Sequence, residues 1–431
     1  MQSPWPAPRA TSPVDATVVL PGSKSMTNRA LLLAALADAP SRVRRPLLAR
    51  DTTLMLGALC ALGLWIVERP GEGRADTVDW TVTPQPLRGP ADVDVGLAGT
   101  VLRFVPAVAA LARGPVTFDG DPRARERPLG PLVTALRALG ADVDDGGRGA
   151  IPLTIRGHGR VAGGAVTIDA SASSQFVSAL LLAGARYDGG LDLRHEGPPL
   201  PSLPHVAMSV AMLRTAGVEV DDTTPDRWRV VPGPIRAVDV VVEPDLSNAA
   251  PFLAAALVTG GQVHVPDWPA RTTQAGAALP DLLAEMGATS ALDDGGLTLR
   301  GTGRVRGLTA DLHEVGELAP VLAAACALAD SPSRLSGLAH LRGHETDRLA
   351  ALAHELSALG SDVTETDDGL LIRPRPLHGG VVATYDDHRM AQAGALLGLC
   401  VDEVAVQDIA TTGKTLPDFV GMWDELLREG R

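Results

Sequence analysis

The segment GPLVTALRALG at residues 130–140 is one copy of a helical pattern that recurs along the whole chain. Its apolar residues Leu132, Val133, Leu136 and Leu139 recur every three to four positions, which predicts an amphipathic helix, and Gly140 suits a left-handed helix cap. The other copies are ALCALG at 58–63, MLRTAG at 212–217, LLAEMG at 282–287, ELSALG at 355–360 and DELLREG at 424–430. Successive terminal glycines are 77, 77, 70, 73 and 70 residues apart, which indicates an internal repeat.

A second predicted helix lies ahead of the first in each repeat, so this second set recurs with the same spacing. They begin near Lys24, Thr100, Ser174, Asn248, Glu317 and Arg389, most of them directly after a strand-like run such as ATVVLPG at 16–22 or VDVVVEP at 238–244. Each repeat therefore predicts a βαβαββ unit, six times over, and the sixth lacks closing strands. We predict an α/β fold of two domains with three repeats each. The first domain spans 21–239, and the second spans 240–431 and is completed by a strand from 1–20.

The composition excludes several classes of protein. The 431 residues include 51 Asp and Glu against 38 Lys and Arg, a net charge of −13, and aromatic residues make up 3%. Such a chain is poorly suited to bind nucleic acid, and its apolar runs are too short to span a membrane. Cys60, Cys326 and Cys400 lie far apart without metal-ligand spacing, which predicts buried, reduced thiols and no metal site. The N-terminus shows no secretory signal, so we expect a cytoplasmic protein.

Cations stand at the starts of predicted helices, where the helix dipole disfavours them. Lys24, Arg127, Arg348, Arg389 and Lys414 each open or shortly precede a helical segment. A cation there destabilises the helix unless an anion binds between it and the exposed backbone amides. The pattern therefore predicts a site for phosphate and carboxylate groups.

The residue types alone leave other interpretations open. The residues that can instead be simple helix caps are Thr100, Ser173, Ser174, Ser202, Asp386 and Asp387. Glu345 and Arg348 can form an ordinary i,i+3 ion pair. The segment PGSKS at 21–25 does not match a nucleotide-binding P-loop, because Ser23 and Val18 occupy positions that require glycine.

Seven segments together resemble the 5-enolpyruvylshikimate-3-phosphate synthase family. They are PGSKSMTNRALLLAAL at 21–36, AGTVLRF at 98–104, GDPRARERPLGPLV at 120–133, SSQFVSALL at 173–181, HETDRL at 344–349, YDDHRMA at 385–391 and GKTLPDF at 413–419. The resemblance implies two domains of three βαβαββ units with the active site in the cleft between them. It also implies transfer of the enolpyruvyl group of phosphoenolpyruvate to the 5-hydroxyl of shikimate 3-phosphate, with release of phosphate and without a metal or organic cofactor.

The resemblance also implies roles for individual residues. The shikimate 3-phosphate ligands would be Lys24, Ser25, Arg29, Ser173, Ser174, Gln175, Ser202, Glu317, His340 and His344. The phosphoenolpyruvate ligands would be Lys24, Gly99, Arg127, Gln175, Arg348, Arg389 and Lys414. Glu345 with Lys24 would handle the methylene proton, and Glu317 would take the hydroxyl proton. Because Gly99 is unsubstituted, the family's inhibitor glyphosate should fit.

Four positions depart from the family's usual pattern. Leu97 and His340 replace asparagines, His344 replaces a lysine, and Glu317 replaces the catalytic aspartate. Glu317 keeps the carboxylate but reaches one methylene further. His340 and His344 add groups that titrate near neutrality, at positions implied to contact shikimate 3-phosphate.

Two alternative functions remain. One is the sister enolpyruvyl transferase that acts on a UDP-amino sugar and uses a loop cysteine as nucleophile, although the three cysteines here fall in apolar helical patterns. The other is a non-catalytic anion-binding protein, which retention of Lys24, Glu317, Glu345 and Lys414 opposes. We expect a monomer that acts on small molecules, with no nucleic-acid or membrane partner.

Overall fold

Residues 3–71 and 77–429 are described by the computed structural model, and the chain divides into two compact units. One unit is Gly22–Val242, and the other combines the residues up to Pro21 with those from Glu243 onward. Gly430, the last of the repeat glycines, lies outside the described residues. The N-terminal segment thus belongs to the unit formed mainly by the second half of the chain.

The described residues form 23 strands and 12 α-helices. The strands are β1 Trp5–Pro6, β2 Asp15–Thr17, β3 Ser41–Arg44, β4 Trp65–Pro70, β5 Val78–Thr83, β6 Ala91–Asp94, β7 Arg113–Asp119, β8 Asp142–Asp144, β9 Leu153–His158, β10 Gly164–Ile168, β11 Leu191–His195, β12 Val220–Asp221, β13 Arg227–Val230, β14 Asp239–Val241, β15 Gln262–Pro266, β16 Thr289–Asp293, β17 Gly296–Arg300, β18 Thr309–Asp311, β19 Ser333–Ser336, β20 Asp362–Glu365, β21 Leu370–Arg373, β22 Gly380–Val382 and β23 Val404–Val406. The helices are α1 Lys24–Leu36, α2 Arg50–Ala61, α3 Gly99–Ala109, α4 Gly130–Ala138, α5 Gln175–Gly184, α6 Leu203–Thr215, α7 Ala250–Thr259, α8 Leu279–Glu285, α9 Ala319–Ala327, α10 Arg348–Ala358, α11 His388–Gly398 and α12 Phe419–Glu429.

The strands of the described residues form five sheets of four strands and one of three. In the sheet β6-β7-β9-β8, Ala91 pairs with Val116 in parallel, Val116 pairs with Ile155 antiparallel, and β8 joins β9 antiparallel. The equivalent sheets are β14-β3-β5-β4 and β10-β11-β13-β12 in Gly22–Val242, and β2-β15-β17-β16, β18-β19-β21-β20 and β22-β23-β1 in the other unit. The predicted α/β fold of βαβαββ repeats is confirmed.

Two strands do not join the sheet of the repeat that follows them in sequence. β2 directly precedes α1, yet it pairs in parallel with β15, Asp15 opposite Gln262. β14 precedes α7, yet it pairs in parallel with β3, Asp239 opposite Arg42. The third sheet of the second unit is closed by β1, whose Trp5 lies opposite Val406. Each unit is therefore completed by a strand that is distant in sequence.

The repeat glycines end their helices as the sequence predicts. α2, α4, α6, α8 and α10 end two residues before Gly63, Gly140, Gly217, Gly287 and Gly360, and all five glycines have a positive φ. A left-handed residue at this position closes the last helical turn, and glycine adopts it without a steric cost. The predicted starts of the other helix set lie within two residues of the observed starts of α1, α3, α5, α7, α9 and α11.

The odd-numbered helices α3 and α9 are buried on every side and form the centres of the two cores. All residues of both helices are buried, and α3 packs against α5 while α9 packs against α11. Close packing on every side prevents a helix from sliding along its axis or rotating about it. The side chains in the first turn of each of these two helices are therefore held in fixed positions. Two candidate site residues are placed in this way: Gly99 is the first residue of α3, and Glu317 lies two residues before α9.

One prediction about the cysteines is wrong. Cys326 is buried and Cys400 is partly buried, but Cys60 is exposed. α2 is amphipathic, and its exposed residues Thr53, Gly57 and Cys60 recur at helical spacing on the solvent face. The apolar pattern around Cys60 belongs to the opposite face of the helix.

Candidate active site

In the unit Gly22–Val242, four helices begin with uncompensated backbone amides. The described first turns of α1, α3, α5 and α6 contain no acidic residue, and the N-cap residue of none of these helices makes a side-chain capping bond. The first N–H groups of a helix lack intrahelical acceptors and carry partial positive charge. These four helix starts are therefore suited to bind anions. They carry most of the residues that the sequence singled out in this unit, namely Lys24, Ser25, Gly99, Ser173, Ser174, Gln175 and Ser202.

Lys24 and Arg29, five residues apart on α1, have different surroundings. Lys24 Nζ lies 3.4 Å from Asp51 Oδ2, a buried carboxylate at the start of α2. Arg29 is 1% exposed and stacks over Phe104, with four N–H donors directed at oxygen atoms. Its acceptors are Ser209 Oγ, Ser178 Oγ and the carbonyl oxygens of Ser25 and His205. Arg29 thus ties α1 to α5 and α6.

Arg127 is a buried cation with almost no counter-charge among the described residues. It is 6% exposed, and its one described hydrogen bond runs from Nη1 to the Leu97 carbonyl oxygen at 3.4 Å, while Nε has no partner. Arg125, two residues earlier, is exposed and pairs with both carboxylate oxygens of Asp119 at 2.9 and 2.8 Å. A buried guanidinium without a carboxylate partner is unfavourable, and an anion bound to Arg127 would relieve that cost.

Gly99 lies directly against the guanidinium of Arg127. A Cβ at Gly99 would lie 3.1 Å from Arg127 Nη1 and 3.2 Å from Arg103 Nη1. Arg103 in turn donates from Nη1 to Gln175 Oε1 at 2.8 Å. Because Gln175 Oε1 accepts this bond, the amide nitrogen of Gln175 is the end that can donate to a ligand.

We expect Gly99→Ala to raise the KM for the anionic ligand of Arg127 about tenfold, because the added methyl pushes the guanidinium aside by a few tenths of an ångström. Gly130→Ala is the matched control, since a Cβ at Gly130, the first residue of α4, meets nothing within 4 Å. Steady-state kinetics of both variants measure the effect. Equal KM values for the two variants would show that a methyl group at position 99 does not disturb Arg127.

The serines at helix starts are only partly explained as caps. Ser173 Oγ accepts from the Gln175 N–H at 3.3 Å, which is a capping contact. The side chains of Ser174 and Ser202 make no such bond, although these residues are the N-caps of α5 and α6. Ser202 also has a left-handed backbone, with φ 53° and ψ 48°, which costs a non-glycine residue on the order of 1 kcal/mol or more. The simple-cap interpretation does not account for Ser174 and Ser202.

In the other unit, a buried ion cluster forms around Arg348, the first residue of α10. Arg348 Nε donates to Asp387 Oδ2 at 2.7 Å, and Nη2 donates to Asp387 Oδ1 and Glu345 Oε2, each at 3.1 Å. Lys414 Nζ donates to the other oxygen of Glu345. Burial alone would lower the pKa of Arg348, but the carboxylates of Asp387, Glu345 and Glu317 hold it above its ordinary value. Glu345 is therefore more than an i,i+3 partner of Arg348, because it also joins Arg348 to Lys414.

Asp387 is a site residue that the sequence interpretation underestimated. It is 0% exposed, and its carboxylate accepts the Arg389 N–H at 2.8 Å as the N-cap of α11. The cap interpretation is correct, but the same carboxylate also accepts a hydrogen bond from Arg348, 39 residues earlier. The acidic pair before His388 was the only available signal, and it gave no indication of this distant partner.

Glu317 and Arg389 are linked through Ser247. Ser247 Oγ donates to Glu317 Oε1 at 2.8 Å, and Arg389 Nη1 donates to the Ser247 carbonyl oxygen at 2.8 Å. Arg389 Nη1 also lies 3.3 Å from Gln392 Oε1. Arg389 is buried, and its described side-chain bonds all use Nη1. Its Nε and Nη2 make no described hydrogen bond within the protein.

The expected position of Lys414 at a helix start is wrong. Lys414 is the last residue of the 3-10 helix Ile409–Lys414, five residues before α12 begins at Phe419. Its buried ammonium is stabilised by Glu345. The cation is thus held by a carboxylate from a distant segment.

Three imidazole rings pack in T-shaped pairs beside this cluster. The ring centroids of His313 and His340 are 5.7 Å apart, and those of His340 and His344 are 5.9 Å apart. His344 Nδ1 lies 3.4 Å from Arg348 Nη1. Burial, together with His313 and Arg348, lowers the pKa of His340 to about 4. His340 is therefore neutral at pH 7.

We expect the depressed pKa of His340 to make the protein less stable in mild acid. Below pH 6.5 the unfolded chain binds a proton that folded His340 does not, so the free energy of unfolding decreases as the pH falls toward 4. By pH 5 the loss is on the order of 2 kcal/mol. In urea unfolding at pH 7.5 and 5, His340→Asn should lose that much less stability than the wild type. Identical losses would show that His340 titrates normally.

Two further findings concern ligands and membranes. No group of three or more His, Cys, Asp or Glu within 3–71 and 77–429 is arranged to hold a metal ion. None of the described helices has both the length and the apolar character that a bilayer crossing requires.

Comparison with known proteins gives a consistent result. The family model for EPSP synthase (3-phosphoshikimate 1-carboxyvinyltransferase) matches residues 8–423. A 3-phosphoshikimate 1-carboxyvinyltransferase of Kocuria rhizophila is 57% identical over 428 residues, which cover 98% of this chain and 96% of that protein. The fold is similar to that of EPSP synthase from Acinetobacter baumannii, with a TM-score of 0.78 and 24% identity over 98% of this chain and 97% of the other. It is also similar to the enolpyruvyl transferase NikO from Streptomyces tendae, with a TM-score of 0.76 and 19% identity over 97% and 96% of the two chains.

Proposed function

The chain belongs to the EPSP synthase family, and from this premise and the site residues we infer that it transfers the enolpyruvyl group of phosphoenolpyruvate to the 5-hydroxyl of shikimate 3-phosphate. The products are 5-enolpyruvylshikimate 3-phosphate and phosphate, in the shikimate pathway that leads to aromatic amino acids. Both substrates are anions that carry a carboxylate and a phosphate. The enzyme is thus a transferase whose binding groups must be cationic or strong hydrogen-bond donors.

The buried guanidinium of Arg127 is the observation that carries this proposal. Arg127 has one 3.4 Å hydrogen bond and no described carboxylate partner, although charged groups are rarely left so when buried. A bound phosphoenolpyruvate supplies the missing anion. We assign phosphoenolpyruvate to Lys24, Gly99, Arg127, Gln175, Arg348, Arg389 and Lys414.

Shikimate 3-phosphate is assigned to a different set of residues. Ser174 and Ser202 present hydroxyl groups that do not cap their helices, and the amides of those helix starts favour a phosphate. The full set is Lys24, Ser25, Arg29, Ser173, Ser174, Gln175, Ser202, Glu317, His340 and His344. Within it Arg29, which is held by α5 and α6, acts from a fixed position and contributes its charge.

The reaction needs one proton donor and one acceptor. As the 5-hydroxyl oxygen attacks C2 of phosphoenolpyruvate, C3 gains a proton and a tetrahedral intermediate forms. C3 then loses a proton as the bond between C2 and the phosphate oxygen breaks. We assign the C3 proton transfers to Lys24 and Glu345, and removal of the hydroxyl proton to Glu317, which Ser247 orients.

Phosphate release tests the proposed reaction. The purified chain should release phosphate from phosphoenolpyruvate only when shikimate 3-phosphate is also present. Release with a UDP-amino sugar in place of shikimate 3-phosphate would instead support the sister transferase. That alternative needs a reactive thiolate, whereas desolvation raises the pKa of all three cysteines, that of the exposed Cys60 included, and to about 11 for Cys326 and Cys400. No release with either acceptor would leave only a non-catalytic anion-binding protein.

The physiological setting belongs to the same proposal. We propose a monomeric cytoplasmic enzyme that acts on small molecules, without a nucleic-acid or membrane partner. The acidic net charge of −13 supports the exclusion of nucleic acid. The free thiols of Cys60, Cys326 and Cys400 suit a reducing compartment.

A further inference from the structure

A strained turn precedes Asp387. Tyr385 and Asp386 are consecutive non-glycine residues with left-handed backbones, at φ 54° and 57°. Each such residue costs on the order of 1 kcal/mol or more. Two in succession persist only when surrounding contacts hold them, and strain of this kind concentrates at functional sites.

Glu355 of α10 supplies the contacts that hold this turn. Its side chain is buried, and it accepts the Ala383 N–H at 2.9 Å and the Tyr385 O–H at 2.6 Å, one bond to each carboxylate oxygen. Burial and the Glu355 carboxylate raise the pKa of Tyr385 to about 12, so the phenol stays protonated and remains a donor. Glu355 therefore fixes the turn at two points on either side of Thr384.

The turn leads directly to the groups proposed to bind phosphoenolpyruvate. Asp387 follows it immediately and accepts from Arg348 Nε, Arg348 Nη2 and the Arg389 N–H. Glu355 lies on the same helix as Arg348, seven residues later, which is two helical turns. The contacts close a ring that runs from Arg348 along α10 to Glu355, through the turn to Asp387, and back to Arg348.

We propose that Glu355 and Tyr385 are positioning residues, which set the guanidinium groups of Arg348 and Arg389 for phosphoenolpyruvate through the turn 383–386 and Asp387. The proposal rests on the proposed function, because it concerns the same substrate. Neither residue is assigned to a substrate. Tyr385 is 41% exposed, and its hydroxyl is directed at Glu355.

The test compares the two tyrosines of the chain. Tyr385→Phe removes one hydrogen bond and keeps the ring, and it should raise the KM for phosphoenolpyruvate five- to tenfold. The kcat and the KM for shikimate 3-phosphate should stay within twofold of wild type. Tyr187→Phe is the matched control, since the Tyr187 hydroxyl donates to the Ala107 carbonyl oxygen at 3.0 Å in the other unit. It should change neither KM.

A second variant separates positioning from general destabilisation. Glu355→Gln should raise the KM for phosphoenolpyruvate at least as much, and Tyr385→Phe added to it should have no further effect, because both act through one turn. Additive effects, or equal changes in both KM values, would overturn the inference. Arg348→Lys is measured alongside. If Arg348→Lys raises the KM for phosphoenolpyruvate and Tyr385→Phe does not, the positioning role is wrong but the proposed function stands. If Arg348→Lys has no effect on that KM, the proposed function itself is contradicted.

Discussion

Glu345→Gln is expected to lower kcat about 10³-fold, with the protein still folded. The carboxylate of Glu345 joins Lys414 and Arg348 in a buried cluster, and it is the group assigned to the C3 proton. Glutamine keeps the shape and one acceptor oxygen but can neither lose nor gain a proton there. Loss of a positioned acid or base costs about 10²- to 10⁴-fold. Phosphate release at saturating concentrations of both substrates measures the change.

Glu425→Gln on α12 is the matched control for this variant, because Glu425 is exposed and outside both residue sets. It should retain wild-type kcat. Arg348 keeps its two bonds to Asp387 in Glu345→Gln, so the helix start should remain ordered. A Glu345→Gln enzyme with more than a tenth of wild-type kcat would remove Glu345 from the proton transfer.

Arg127→Ala is expected to raise the KM for phosphoenolpyruvate at least about 10²-fold. Two charge-assisted hydrogen bonds of about 1.5 kcal/mol each amount to roughly 3 kcal/mol of lost binding. The free energy of unfolding should stay the same or increase, because Arg127 makes a single 3.4 Å bond within the described structure. Kinetics and urea unfolding of the same preparation measure both quantities.

Arg125→Ala controls for the loss of a positive charge from this segment. Arg125 is exposed and bonded to Asp119, so its replacement should leave both KM values unchanged and cost little stability. If Arg127→Ala instead unfolds the protein without changing the KM of the folded fraction, Arg127 is a structural residue. Because Arg125 lies only two residues from Arg127, the two variants remove the same charge from the same segment.

The fold was predictable because its signals are local. Each helix of the first set ends in an apolar turn and a glycine, and the five described glycines are left-handed as that pattern requires. The strand partners were not predictable to the same extent. β2 and β14 both belong to short valine-containing runs before a helix, at 15–22 and 238–244, and the choice between β3 and β15 as a partner depends on pairing over some 200 residues. Local pattern contains no information on such a choice.

The site was predictable only in its residue types. Lys24, Arg348 and Arg389 lie in the first turns of helices, where the charge pattern indicated an anion site. Their partners are remote in sequence: Arg348 and Asp387 are 39 residues apart, and Glu345 and Lys414 are 69 apart. The interpretation of Ser174 and Ser202 as caps was equally uncertain from sequence, since a hydroxyl at a helix start has the same residue pattern whether or not it caps.

The sharpest test of how the two substrates are assigned, to residue sets that share only Lys24 and Gln175, is equilibrium binding of shikimate 3-phosphate, measured by calorimetry without phosphoenolpyruvate. We expect Ser174→Ala combined with Ser202→Ala to weaken binding at least about 30-fold, a loss of about 2 kcal/mol. We expect the Arg127→Ala variant to bind shikimate 3-phosphate with a Kd within about threefold of wild type, because the guanidinium of Arg127 serves the other substrate. Loss of binding in Arg127→Ala, with normal binding in the double serine variant, would contradict this assignment.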